Sequence, residues 1–313
     1  MTRILAQIIS RMALLCGCVI GVTLLIGRIL PPEPELLFTA SYNLSDLDIY
    51  RMSLSRQITM AVTHNPANDF LPDWSPDGQQ IAFVSDRDGY YSIYIIDAQG
   101  TSISRISKTD ESANEYNPVW SPDGKFIAYV EEEKGYGQIM LYDVALGTSE
   151  RLTDNYRTHV SPVWSPDGKN ITFVSDLDER WNTKIYSLNV ETRIISPILV
   201  GSAIDPVWSP DGRYLLYTSG YEKTNLFIWD NSVGKSSLLY TGDFVSNDTP
   251  AWSNDGRSIV FSAFTTNSNS GLFQIPFAEC LAQSPECVPH ELTSTPAFYR
   301  NPHWKPTQPF SSQ

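Results

Sequence analysis

A chain of 313 residues that is 42% hydrophobic can bury a large core, as one big domain or as two ordinary ones. Its 21 Pro and 18 Gly, set beside 8 Trp, 16 Tyr and 13 Phe, describe short strands joined by many turns. A net charge of −13 argues against a binder of nucleic acid, whose affinity rests on Lys and Arg neutralising phosphates.

The chain begins with MTRILAQIISRMALLCGCVIGVTLLIGRIL, in which Arg3 and Arg11 precede an uncharged apolar run from Met12 to Gly27. Ile29 and Leu30 extend the run, and Arg28 can snorkel to the headgroups, which together approach the ~20 residues a spanning helix needs. The acidic PPEPE follows at once, so the Arg bias places the start of the chain in the cytoplasm and the remainder outside. The expected organisation is a cytoplasmic N-terminus (1–11), a transmembrane helix or signal anchor (12–30), a Pro/Glu linker (31–36), a folded domain (37–306) and a tail (307–313). Two alternatives stand beside a single-pass protein with a periplasmic or cell-surface domain. A cleaved signal peptide, giving a secreted protein, would need small residues before the cut, and TLLIGR offers no A-x-A. A lipoprotein could use Leu15-Cys16-Gly17-Cys18, but the apolar run continues past Cys18.

From residue 37 the chain reads as strands. LFTAS at 37, DIYRM at 48 and QIT at 57 have the character of strands two, three and four of a unit that lacks its first. Complete units then follow, marked by a Trp two positions after a Pro: Trp74, Trp120, Trp164, Trp208, Trp252 and Trp304, at spacings of 46, 44, 44, 44 and 52. A period in the mid-forties is the length of one four-stranded propeller blade. Each PxW segment runs into a turn, SPDG at 75, 121, 165 and 209 and SNDG at 253. Pro pre-sets φ at the first central position, Asp tolerates the second and Gly takes the left-handed one. Second strands follow as IAFVS, IAYVE, ITFVS, LLYTS and IVFSA, then a polar turn and two further strands. NPHW at 301–304 is a first strand with nothing behind it, so the two ends of the chain complete one blade and close a ring of six without a free sheet edge.

The repeated W-S-P-D-G, with IAFVSDRDG and RLT, resembles the TolB-like six-bladed β-propeller family over residues 37 to about 306. The resemblance implies an all-β propeller of four-stranded blades. It leaves function open, because the family includes periplasmic binding and scaffold proteins, and a related propeller gates prolyl-oligopeptidase-like peptidases.

Catalytic motifs are scarce. No serine has Gly at both −2 and +2, so the G-x-S-x-G elbow of an α/β-hydrolase is missing, and the Asp-Gly adjacency does not match sialidase boxes. His64, His159, His290 and His303 are scattered, with neither HExxH nor H-x-H. The acidic turns SDRDG and SDLDE could hold Ca²⁺, although Asp86, Asp88, Asp176 and Asp178 suit turn capping as well. No cofactor, metal or catalytic residue is therefore expected. Cys280 and Cys287 enclose six residues in CLAQSPEC, which is not zinc spacing; outside the cytoplasm a loop disulfide is the expected state.

Residues repeated once per blade are first packing units, so the six Trp are expected to wedge between blades. Function is expected where the repeats differ. With strands alternating in direction, the two-to-three turns and the connectors into each PxW share the face that surrounds the channel mouth. Asp69, Glu115, His159, Asn247 and Tyr299 stand five positions before a Trp, and Asp86, Glu131, Tyr136, Asp176 and Trp181 lie in the turns. These ten are the candidate binding residues, either a solvated acidic surface or a mouth suited to a basic peptide, protein segment or cation. The expected function is a membrane-tethered binding or scaffold module. The alternative is a metal-dependent hydrolase or lyase using carboxylates at the channel mouth. A sensor ectodomain would need a cytoplasmic output domain, and only about ten residues precede the apolar run.

Overall fold

The computed structural model describes residues 34–42, 46–106, 113–178, 183–199, 201–220, 223–242, 244, 246–264, 270–283, 287–295 and 297–307. The expected cytoplasmic end, membrane segment and most of the linker lie outside the described residues, as does most of the tail. Among the described residues no helix is long and apolar enough to cross a membrane.

Six four-stranded antiparallel sheets make a six-bladed β-propeller. We number the blades by their Trp, from Trp74 in blade 1 to Trp304 in blade 6. The inner strands are Asp69–Trp74, Asn114–Trp120, His159–Trp164, Ile204–Trp208, Ser246–Trp252 and Phe298–Trp304. Blade 6 is assembled from both ends of the folded region: Phe298–Trp304 pairs with Glu35–Ser41, with Leu36 opposite Trp304 and Ala40 opposite Tyr299. Every edge facing the axis is thereby supplied by a first strand, and no half-blade is left open.

Second strands such as Ile81 to Ser85 and Leu215 to Thr218 are buried along their length, because each blade is covered on both faces by its neighbours. Fourth strands such as Ile58–Ala61 and Thr148–Arg151 are exposed throughout. The core consequently lies between blades. Trp164 joins Ala128 and Ile139 of blade 2 to Ile171 and Phe173 of blade 3, and Trp252 does the same for Tyr214 and Phe261. The indole N–H of Trp164 donates to the Val119 carbonyl at 3.2 Å, that of Trp252 to Val207 at 3.3 Å, and that of Trp208 to the Thr172 hydroxyl at 2.9 Å. In all three the acceptor belongs to the preceding blade.

The SPDG turns explain their own composition. In blade 1 the Ser75 hydroxyl donates to Asp77 at 2.6 Å and accepts from the Gln80 N–H at 2.9 Å, while Asp77 accepts from the Gln79 N–H at 3.0 Å. The same closed set recurs around Ser121, Ser165, Ser209 and Ser253. Gly124 takes φ of +70°, and a Cβ there would lie 3.8 Å from Pro76 of the preceding turn; Gly168, Gly212 and Gly256 stand in the same relation to Pro122, Pro166 and Pro210. The turns of blades 1 to 5 therefore lie side by side on one face.

The longer last spacing holds more than a loop. Between the third and fourth strands of blade 5 the chain forms a short helix, Phe277–Gln283, because FAECLA is apolar enough to pack. Phe277 lies edge-on to Trp252 with centroids 4.6 Å apart, and Cys280 is buried in the same cluster. Cys280 and Cys287 have Cα atoms 4.9 Å apart and their sulfurs at bonding distance, as a disulfide requires.

Candidate functional site: channel mouth and axial cavity

Each inner strand carries a bulge at the residue before its Pro. Leu71, Asn117, Ser161, Asp205, Thr249 and Asn301 all adopt φ between +47° and +53°, and the pairing with the second strand shifts across each one, as between Phe70 and Asp73. An L-residue tolerates this left-handed region poorly, and Pro beside it supplies no ladder N–H, so a bulge is the form the strand can take. The bulge brings the residue three before each Trp to the axis, while the residue five before it is buried in the blade wherever its side chain is described.

That rotation decides where the expected binding residues lie. Asp69, Glu115 and His159 are fully buried, and Tyr299 is 2% exposed. Asp69 is held by Arg87 at 2.9 and 3.1 Å and by Asn65 at 2.6 Å. Glu115 accepts from the Ile93 N–H of the preceding blade at 3.2 Å. His159 pairs with Asn155 at 3.0 Å and meets the ring of Phe173 edge-on. Burial pushes its imidazole down to about 4, with Asp176 opposing only in part. Tyr299 donates its hydroxyl to the Thr295 carbonyl at 3.0 Å, and its main chain exchanges hydrogen bonds with Ser270 of blade 5. Asn247 pairs with Ala263 along the strand.

The residues expected in the two-to-three turns are similarly engaged, although Glu131 and Tyr136 lie in the paired strands Phe126–Glu133 and Tyr136–Asp143, because that hairpin of blade 2 is longer than the others. Asp86 accepts from the main-chain and side-chain N–H groups of Asn68, both at 2.8 Å, and Asp176 accepts from the Thr158 N–H at 3.0 Å. Each ties a two-to-three turn to the connector that enters its own blade. Glu131 is paired with Arg151 at 2.5 Å. Tyr136 stacks edge-on with Tyr156, which is 85% exposed. Trp181 lies outside the described residues. Asp69, Glu115 and His159 thus serve separate blades rather than converging. Among the described residues no three His, Cys, Asp or Glu side chains are grouped to hold a metal ion.

Phe70 and Tyr116, four before their Trp, are half-buried against the inter-blade clusters and flank Tyr91 from the two-to-three turn of blade 1, with centroids 5.4 Å apart on either side. The axis itself is lined by a different set: the six bulge residues and five of their prolines border a half-open cavity of about 110 Å³. Its polar side chains are Asn117, Ser161, Asp205, Thr249, Asn301 and His303. The N–H of Thr249 donates to Asp205 at 3.4 Å, and that of Asn301 to the Thr249 hydroxyl at 3.1 Å, so neighbouring blades are linked around the cavity. His303 is held by Asp73 at 3.2 Å, again from blade to blade. Burial pushes the Asp205 carboxyl up to about 6, with Asp248 adding to the rise and the Thr249 N–H and Arg300 opposing it. Sequence reasoning missed these residues; the signal for them was the X-Pro pair repeated inside every inner strand, which no unbulged strand accommodates.

The fold defines a six-bladed propeller with a small cavity on its axis, a class in which the blades are scaffold and the axial surfaces vary. The TolB beta propeller domain matches residues 29–159 and 112–306, and the chain belongs to that family. An uncharacterized protein of Agrobacterium fabrum is 37% identical over 60 residues, which are 19% of this chain and 20% of that protein's length. The crystal structure of TolB from Acinetobacter baumannii superposes with a TM-score of 0.74 at 19% identity, over 87% of this chain and 66% of that one. The propeller in a nidogen/laminin complex superposes with a TM-score of 0.66 at 14% identity, over 88% of this chain and 99% of that one. At such identities the structural likeness is one of fold.

Proposed function

We propose that this protein is a binding or scaffold module that takes a segment of a protein or peptide partner at the channel mouth, with residues 12–30 tethering it to a membrane and the propeller outside the cytoplasm. The observation that carries the reading is the Phe70–Tyr91–Tyr116 group, three half-exposed rings in contact across blades 1 and 2 at the end of the inner strands where the connectors enter, since clustered, partly exposed aromatic side chains are the usual anchors of an interface. The mouth carboxylates contribute less than their number suggests. Asp69, Glu131 and Asp178 each have a cation of the chain within 3.0 Å, so their charge is largely spent internally. A TolB propeller and the propeller of a nidogen/laminin complex share the fold, which supports a binding role by analogy only.

A photo-crosslinking amino acid at Tyr91 or Tyr116, set against one at Val233 on the opposite face, tests the reading in intact membranes. A discrete adduct from the mouth positions alone is the expected result. Equal labelling from both faces, or labelling from Val233 alone, overturns it.

A further inference from the structure

The axial cavity has a composition that an inert plug would not need. Five of the six bulge positions around it carry polar side chains, one from each of five blades, and Leu71 occupies the sixth. Among the described residues the side chains of Asn117, Ser161 and Asn301, which line this space from three blades, make no hydrogen bond within the chain. Asp205 is the only carboxylate in the lining. Its protein partner there is one main-chain N–H at 3.4 Å, a long bond that leaves the second oxygen unused. Apart from His303 the remaining wall is apolar: Leu71, the five prolines and the valines Val119, Val163 and Val207. A volume of about 110 Å³ admits several water molecules or one short unbranched chain.

We infer that the axial cavity is a receptor for a primary alkylammonium group, as carried by a lysine side chain or a small free amine. The three N–H bonds of an ammonium match one carboxylate and the amide and hydroxyl oxygens set around the axis. The methylene stem matches the proline and valine wall, which a bare metal ion would leave unused. An ammonium on Asp205 would also compensate a carboxylate that burial, with Asp248 nearby, otherwise disfavours. The cation felt by Asp205 is Arg300, which sits over the rings of Phe298 and Phe264; neither it nor His303, which is held by Asp73, is hydrogen-bonded to Asp205. A lysine source rests on the docking reading above, whereas a free amine does not. The left-handed bulges fit the same account, since backbone held in a sparsely populated region re-aims side chains where a ligand is met.

Calorimetric titration of the full chain with n-butylammonium chloride tests the inference, with n-butanol, potassium chloride and Nα-acetyl-lysine methylamide as comparison ligands. Saturable binding at one site is expected, with n-butanol failing to compete and Asp205→Asn weakening affinity about tenfold or more. Asn117→Leu is the second variant. Leu71 already occupies the equivalent bulge at φ of +53°, so Leu is accommodated there and should fill the cavity and abolish binding while the melting temperature is kept. Uptake of the blocked lysine as well as butylammonium supports a peptide source, and uptake of butylammonium alone supports a free amine. Unsaturable binding, equal affinity in Asp205→Asn, or potassium competing as well as butylammonium overturns the inference. If that happens while Tyr116 still gives its crosslink, only the alkylammonium site falls and the docking reading stands.

Discussion

The ammonium of Lys305 lies 2.8 Å from the carboxylate of Glu35, joining residues 270 positions apart in the chain. Its main-chain N–H also donates to the Glu35 carbonyl at 2.9 Å, and its carbonyl accepts from the Asn254 side chain at 2.6 Å. The same ammonium stands 5.1 Å from the centre of the Trp74 ring. One residue therefore touches the first strand of the folded region, blade 1 and blade 5, and pins the ring where its two ends meet.

Removing that pin should loosen closure without erasing it. Lys305→Met loses a partly buried ion pair and a cation–π contact, together about 1 to 2 kcal/mol, or a fall of about 2 to 5 °C in melting temperature. Deleting 299–313 removes most of the closing strand and should prevent cooperative unfolding altogether. Thermal melts followed by circular dichroism distinguish the two, and an unchanged melt for the deletion refutes closure by both ends.

His159 should make the protein acid-sensitive. Burial holds its imidazole neutral down to about pH 4, while in the unfolded chain it titrates near 6.5. Between those values the unfolded state binds a proton that the folded state refuses, so stability is full above about 6.5 and falls as the pH drops toward 4. The accumulated loss is about 3 kcal/mol. Urea titrations from pH 4 to 7 on the protein and on His159→Asn should show a shallower slope for the variant; parallel curves would contradict the buried neutral state.

Asp205 should act with the opposite sign. Its folded value near 6 is above the ordinary carboxylate 3.8, so the folded state binds a proton that the unfolded state has lost, and stability falls as the pH rises through that window. Asp205→Asn removes the penalty and should raise stability at pH 7 by about 1 to 2 kcal/mol, with little gain at pH 4. A residue whose removal stabilises is one retained for another purpose, as a ligand-facing carboxylate would be. Equal gains at both pH values would show that the charge is not the cause.

The Cys280–Cys287 pair should resist alkylation in the unfolded chain until reduced, because sulfurs joined to each other offer no thiolate to the reagent. Mass spectrometry should find two blocked thiols near residues 280 and 287 only after reductant, and labelling beforehand would show that the pair is not bonded.

The repeat determined the architecture by itself. Trp at a fixed period, Pro-Asp-Gly after it and an apolar run beyond are local demands for a strand, a turn and a strand, and the unmatched strands at the two ends could only complete each other. The helix Phe277–Gln283 was not legible, since its stability comes from Trp252 and Tyr214 rather than from its own seven residues. The site was decided by tertiary structure for a sharper reason. A side chain's face in a strand follows from counting residues in twos, and the bulge before each Pro adds one to the count. Asp69, Glu115 and His159 are thereby turned into the blades, where Arg87, Ile93 and Asn155 engage them, and Asn117, Asp205 and Asn301 line the axis. Sequence spacing names the residues near the mouth; only the folded register says which of them face it.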